Sequence, residues 1–210
     1  MIKHLIKFLF CFCILSLVYA LSVNAQQTYL PVHFLYGSRP VQEYKFIEKK
    51  WFGGKMGGHV GIGIDSNKIL NFVHRGNFHL VSSNQNKSGK YIVSTPAQFN
   101  SIFGGESNMV KTLTILIPVN SSQLQKLDSL SKVYIDQSPY DYALFGMRCG
   151  AGSYEVLSQL GILPRYSNSK TSLKIFYPKI LRKELLRQAE ENNWPRIRQQ
   201  GTNRRIWETD

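Results

Sequence analysis

Cysteine is scarce in this chain of 210 residues: there are three, Cys11, Cys13 and Cys149. That is too few for a disulfide-dense scaffold. Glycine (16) and proline (8) are sparse as well, which excludes collagen-like and low-complexity classes. Acidic residues are few, 13 against 26 Lys and Arg, for a net charge of +13. No apolar run long enough to span a bilayer follows residue 23, and no internal repeat of fixed period is visible, so a polytopic membrane protein and a solenoid are excluded. What is abundant is ordinary globular material, 43% hydrophobic and 12% aromatic residues, and this rules out a disordered chain.

The one long apolar run, Phe8 to Val23, follows Lys3 and Lys7 and ends at Val23-Asn24-Ala25. Small residues then stand at the −3 and −1 positions of a cleavage site, the pattern of a secretory signal peptide over residues 1–25. An uncleaved anchor is the rival reading, because the run is close to the shortest that crosses a bilayer. Cleavage leaves one domain over residues 26–210, exported to the periplasm or the extracellular space. Loss of Lys3 and Lys7 takes the net charge to +11, and Cys149 becomes the sole cysteine. A lone thiol in an oxidising compartment is a liability unless it is buried or used.

The positive charge is spread from Lys45 to Arg205 and is not gathered on one face with stacking aromatics. Nucleic acid is therefore not an expected partner; attraction to an anionic envelope surface is the more fitting use, beside plain solubility. The segment from Lys179 to Asp210 holds eight basic and five acidic residues and reads as a mixed, solvated surface. Trp194 and Trp207 are expected to pack that segment back on the domain.

Tyr29 to Tyr36 is rich in β-formers and reads as a strand. A glycine cluster over residues 53–58 reads as a loop. His59-Val-Gly-Ile-Gly-Ile64, a turn at Asp65-Ser66-Asn67, and Lys68 to His74 read as a hairpin. Phe78 to Val81 and Tyr91 to Ser94 add short strands, and Lys111 to Ile117 adds a longer one closed by Pro118. Ser122 to Gln125 has the form of a capping box, followed by an amphipathic helix to Ile135 with Leu124, Leu127 and Leu130 inward. Residues 139–146 read as a loop. A second helix starts at Cys149 and ends at Gly161 and Pro164, and a third covers Lys179 to Asn192. The order strand, hairpin, helix, helix is that of an α+β fold, a mostly antiparallel sheet packed by helices.

Cys149 lies in the first turn of its helix, where unpaired N–H groups and the positive end of the dipole favour a thiolate. Arg148 adds positive charge. Gly150, Ala151 and Gly152 are expected to keep the approach to the sulfur open, and the N–H groups could hold an oxyanion. A cysteine nucleophile needs a base. His59 opens a strand directly after Gly57-Gly58, where glycines let another element, the Cys149 helix, come close. The hairpin register selects the residue that orients the imidazole. A three-residue loop, with Asn67 left-handed, puts Asn71 on the face of His59, diagonal to it. A two-residue loop puts His74 opposite His59 and turns Asn71 away. Asn at the third loop position favours Asn71. His33, in mid-strand, reads as structural and His79 as an edge residue. A zinc site from His59, His74, His79 and Cys149 follows no common zinc spacing, so neither a metal nor any other cofactor is expected.

The stretch His59 to Ile64, a polar turn and Asn71 together resemble the His hairpin of NlpC-type papain-like cysteine hydrolases. The cysteine helix follows the hairpin here, which resembles the circularly permuted branch that includes the lecithin:retinol acyltransferase-like proteins. Ser138-Pro139-Tyr140-Asp141-Tyr142 leading to Cys149 resembles the tyrosine-bearing loop entering the nucleophile helix of such proteins. The resemblance implies a papain-like fold in permuted order, with Cys149 as nucleophile, His59 as general base and Asn71 as its orienting partner. Tyr140 would line the pocket or support the oxyanion site, with His74 beside the substrate. Arg148-Cys149-Gly150 departs from the Asp-Cys-Ser of ordinary members, and Asn71 stands where the acyltransferase branch has His. The implied function is that of a cysteine amidase or peptidase on cell-wall-type peptides. The alternatives are a lipid acyl ester or thioester hydrolase or acyltransferase, and a non-catalytic envelope binding protein.

Overall fold

The computed structural model describes residues 27–48, 57–76, 79–82, 88–103 and 106–210; the leader expected over 1–25 and most of the glycine loop lie outside these. Strand β1 (Thr28–Tyr36) shows why the chain folds into two layers. Its alternation sends Leu30, Val32, Phe34 and Tyr36 into a large core and Leu35 into a smaller one on the other face, the period of two that a pleated strand imposes. A short strand, β2 (Ser38–Pro40), follows. The hairpin is β3 (Gly58–Asp65) and β4 (Lys68–His74). After β5 (His79–Val81) come β6 (Gly89–Ser94), the short helix α1 (Pro96–Asn100) and β7 (Thr112–Val119). Helix α2 (Ser121–Asp136), strand β8 (Ala143–Phe145) and helices α3 (Cys149–Gln159), α4 (Asn168–Lys174) and α5 (Pro178–Glu191) complete the body. Strands β9 (Arg196–Gln199) and β10 (Arg205–Trp207) lie in the C-terminal segment.

Six strands form one sheet in the order β6-β4-β3-β1-β7-β9, and every neighbouring pair is antiparallel. Two small sheets flank it, β10 with β2 and β5 parallel to β8. Helices α2, α3 and α5 cover the large-core face. Helix α1 contributes Phe99 to the smaller core beside Leu35, Ile69 and Val110. The fold is α+β, a large antiparallel sheet packed by helices, in which the His59 hairpin precedes the Cys149 helix. Among the described residues no helix is long and apolar enough to cross a membrane.

Several local expectations need correction. Helix α2 starts two residues early: Gln123 N donates to Asn120 Oδ1 (2.9 Å) and Asn120 N to Gln123 Oε1 (3.0 Å). Asn is as good an N-cap as Ser, so the capping box falls on Asn120 rather than Ser122. Leu127, Ser131 and Tyr134 form its buried face. Strand β7 runs through Pro118 to Val119; β9 pairs only residues 112–115, so the proline's missing N–H breaks no ladder bond there.

Most charged residues of the C-terminal segment are exposed, as a solvated surface requires, but Arg182, Arg205 and Glu208 are buried. Arg182 is fully buried and binds Glu208 (2.8 Å) and Asp210 (2.9 Å), with its guanidinium 3.9 Å from the centre of the Tyr36 ring. Glu208 Oε1 also accepts from Gly37 N (2.9 Å). Burial alone would raise the Asp210 carboxyl, but Tyr36, Arg198 and Arg182 hold it down to about 2. The segment thus straps the ends of β1 and β3. Gly58 shows how tightly: its φ is +88°, and a Cβ there would lie 2.3 Å from Leu35 O and 3.3 Å from Glu208 Oε1. This glycine makes room for β1 and the C-terminal strap, not for the Cys149 helix.

Candidate active site

The β-turn of the hairpin decides what faces His59. It holds two residues, Ser66 and Asn67, between paired Asp65 and Lys68, and a bulge between Gly63 and Asp65 then shifts the register. Asn71 therefore pairs with Gly61, diagonal to His59 and on its face. Asn67 is not left-handed: Asn193 is the only non-glycine with positive φ among the described residues. Instead its N–H is bound by Asp65 Oδ1 (2.8 Å). The expected register is present, but a bulge produces it rather than a three-residue loop.

Asn71 is completely buried, and its Oδ1 lies 3.0 Å from His59 Nε2. Its amide nitrogen donates to Ile69 O (3.2 Å), Ile92 O (3.4 Å) and Ser94 Oγ (3.1 Å). Those acceptors fix which end of the amide faces the ring. An amide oxygen only accepts, so His59 carries a proton on Nε2 and leaves Nδ1 for the other side. Phe99 and Phe103 flank the imidazole at centroid distances of 5.5 and 6.1 Å.

Cys149 is the first residue of α3 and is 3% exposed; His59 is 5% exposed. The two side chains are in hydrogen-bonding and electrostatic contact. Burial pushes the thiol up, but attraction to the His59 imidazolium, helped by Arg148 and by the Tyr142 hydroxyl, outweighs it and lowers the Cys149 pKa. Burial pushes the imidazole down, but the Cys149 thiolate and Asn71 outweigh it and raise His59. Both directions favour a thiolate–imidazolium pair.

Two glycines in the first turn cost the helix roughly 1 kcal/mol each against alanine. Their use is contact, not an open approach to the sulfur. A Cβ on Gly152 would lie 3.0 Å from Tyr91 Oη and 3.2 Å from Phe72 Cβ, and one on Gly150 3.1 Å from Pro178 N. Helix α3 can therefore sit directly on β4, β6 and the start of α5.

Tyr140 is buried and turned inward. Its hydroxyl bonds that of Tyr91, which donates to Gly152 O (3.0 Å). It also lines a cavity of about 400 Å³ with Ser82, Asp141, Phe145, Met147 and Asn168. The phenol that reaches the sulfur belongs to Tyr142. Asp141 fixes this loop by accepting from Ser88 N (3.1 Å) and Ser88 Oγ (2.9 Å). The Tyr140-Asp141-Tyr142 run announced an aromatic at the site, but only the tertiary contacts tell 140 from 142. His74 ends β4 on the face opposite Asn71 and packs edge-on against Tyr142 at 5.8 Å. The structure thus brings together Cys149, His59 and Asn71, and sets His74 behind Tyr142. His33 sits in β1 with Nδ1 2.9 Å from Thr114 Oγ1, and burial lowers its pKa to about 4. Among the described residues no group of three or more His, Cys, Asp or Glu side chains is placed to hold a metal ion.

No family model and no curated protein matches the sequence. Among solved structures, the chain is similar to the type VI secretion system effector TseH, with a TM-score of 0.40 and 9% identity over 72% of this chain and 89% of that one.

Proposed function

We propose that the protein is an exported thiol hydrolase that cleaves acyl bonds, in the first place amide bonds of cell-wall-type peptides. The observation that carries this reading is the buried chain Cys149–His59–Asn71, with the imidazole held by Asn71 and in contact with the sulfur. The thiolate attacks the substrate carbonyl carbon, forming a C–S bond while the carbonyl electron pair moves to oxygen. N–H groups of the first turn of α3, which have no intrahelical acceptor, are the natural donors to that oxyanion. Collapse breaks the bond to the leaving amine, and His59 Nδ1–H supplies its proton. Water then adds to the thioester with His59 taking a proton, and the acid leaves as the thiolate–imidazolium pair is restored. Tyr142 supports the charge on sulfur.

A second reading, a hydrolase of lipid acyl esters or thioesters, is favoured by one feature. Leu80, Val81 and Phe145 on the β5–β8 pair are 62–67% exposed, and Phe145 stacks on Phe176 near Arg148.

The test is turnover of matched peptide amides and acyl esters by the protein and by Cys149→Ser. Turnover that disappears in a folded Cys149→Ser variant supports the nucleophile, and the preferred substrate chooses between amide and ester. Turnover retained by that variant overturns the reading. A fast-reacting Cys149 is also required; a protein that only binds wall peptides would show neither.

A further inference from the structure

Arg148 caps α3 immediately before Cys149, and its side chain makes no capping bond. Its guanidinium lies over the rings of Phe176 (5.1 Å) and Tyr177 (5.0 Å). The side chain bonds the Tyr142 hydroxyl, yet Nε and Nη1, closed off from solvent, have no hydrogen-bond partner. Arg148 is half-buried, and the two fully buried arginines among the described residues are treated differently. Arg182 meets Glu208 and Asp210, and Arg205 meets Glu48 at 2.8 Å. Among the described residues no carboxylate pairs with Arg148. Buried donors without acceptors are unfavourable, and stacking on two rings satisfies the π-face of a guanidinium but not its N–H edge.

The charge at the site leads to the same conclusion. When the thiolate–imidazolium pair forms, its two charges cancel and Arg148 leaves one positive charge beside the sulfur. Each fork of a guanidinium, Nε with Nη2 or Nη1 with Nη2, matches a carboxylate that accepts two parallel hydrogen bonds, so a carboxylate on either edge would satisfy one of the orphaned donors.

We propose that Arg148 is a substrate-recognition residue and that the acyl substrate carries a carboxylate close to the scissile carbonyl. The inference rests on Cys149 being the nucleophile, and it narrows the substrate to an acidic peptide or another acyl compound bearing a free carboxylate. The carboxylate takes the place of the acceptor that the guanidinium lacks within the protein, and it orients the carbonyl at the sulfur.

The test compares iodoacetate with iodoacetamide on the full chain. In each case Cys149 Sγ forms a bond to the CH₂ carbon and iodide departs with the C–I electron pair; the reagents differ in carboxylate against amide. The iodoacetamide rate corrects for the thiolate fraction. Hydrogen bonds to charged groups correspond to roughly ten- to hundredfold effects, so the iodoacetate-to-iodoacetamide rate ratio should exceed that of a small free thiol by about tenfold. Arg148→Gln should remove that excess, and Arg148→Lys, with charge but no fork, should keep part of it. A ratio equal to that of the free thiol, or one unchanged in Arg148→Gln, overturns the proposal while leaving the nucleophile standing. Failure of iodoacetamide to react in the folded protein would instead strike the parent reading.

If Arg148→Gln does not fold, protection of the unsubstituted protein decides. Acetate, and not acetamide, should slow iodoacetamide alkylation saturably; equal or absent protection overturns the proposal. N-acetyl-glutamate amide, with only a side-chain carboxylate, and N-acetyl-alanine, with only a terminal one, then distinguish the two sources of the charge.

Discussion

Replacing Asn71 by Ala removes the partner of His59 and three further hydrogen bonds. The Nε2–H loses its acceptor at 3.0 Å, while Ile69 O, Ile92 O and Ser94 Oγ lose a donor. The ring is 5% exposed and flanked by Phe99 and Phe103, so water does not readily replace the amide. An orphaned buried donor costs about 1–3 kcal/mol. The small void adds less than the 2–5 kcal/mol of a typical large aliphatic truncation. A loss of about 2–4 kcal/mol is expected, which at about 2–4 °C per kcal/mol for a chain of this size lowers Tm by about 5–15 °C. The chemistry should suffer independently of stability. Asn71 is one of the groups that raise the His59 pKa, so its loss returns the proton to sulfur. Alkylation of Cys149 by iodoacetamide near pH 6 should then fall about tenfold, while the rate near pH 9, where even an ordinary thiol ionises, changes little. His74→Ala should cost less at pH 6, because His74 packs against Tyr142 and lies on the strand face opposite Asn71. An Asn71→Ala protein with unchanged Tm and unchanged rate at pH 6, or a larger loss in His74→Ala, would refute this reasoning.

Three other outcomes follow from the packing. Glu208→Ala leaves Arg182 buried with half its carboxylate partners, so chemical denaturation should show a loss of about 3–5 kcal/mol; a change under 1 kcal/mol would mean the strap contributes little. Gly58→Ala forces a Cβ to 2.3 Å from Leu35 O at φ +88°. The backbone cost alone is about 1–2 kcal/mol, and the clash should bring the total loss above about 3 kcal/mol by the same measurement. His33 has its pKa lowered to about 4, so the unfolded chain takes up the proton first as pH falls. Stability should be full above about pH 6.5 and drop by about 2–3 kcal/mol toward pH 4. His33→Gln should flatten that slope, and an identical slope in the variant would assign the acid loss elsewhere.

The hairpin, the Cys149 helix and their order were legible because each is written locally. Alternation from His59 to Ile64, the short polar turn, and a cysteine just ahead of an apolar helical run need no tertiary information. Asn71 was reached through a register argument whose outcome held while its cause did not. A bulge at Ile64 leaves no mark in the sequence, since any residue can occupy it and the cost depends on neighbouring strands. The capping box was misplaced because Asn120 and Ser122 both satisfy the same local rule. The buried ion cluster of the C-terminal segment was missed for a different reason. Its mixed charges look solvated unless one knows that Arg182, Glu208 and Asp210 meet around Tyr36, contacts separated by 26 to 174 residues. Tyr142 and the guanidinium of Arg148 belong to the same class, since their roles come from which side chains the fold sets beside them.

The proposed chemistry depends on the thiolate–imidazolium pair of Cys149 and His59, and the pH profile of that pair is its most direct measure. The folded protein and its His59→Ala variant should be alkylated with iodoacetamide across pH, with the product quantified at Cys149 by mass spectrometry. In the unsubstituted protein the rate should persist well below the ordinary thiol pKa of about 8.5 and remain high near pH 6. In His59→Ala burial is no longer outweighed, so the midpoint should move to about 8.5 or above. An unsubstituted protein that reacts only above about pH 8.5 or only after unfolding, or a profile that His59→Ala leaves in place, would contradict the pair and with it the proposed chemistry.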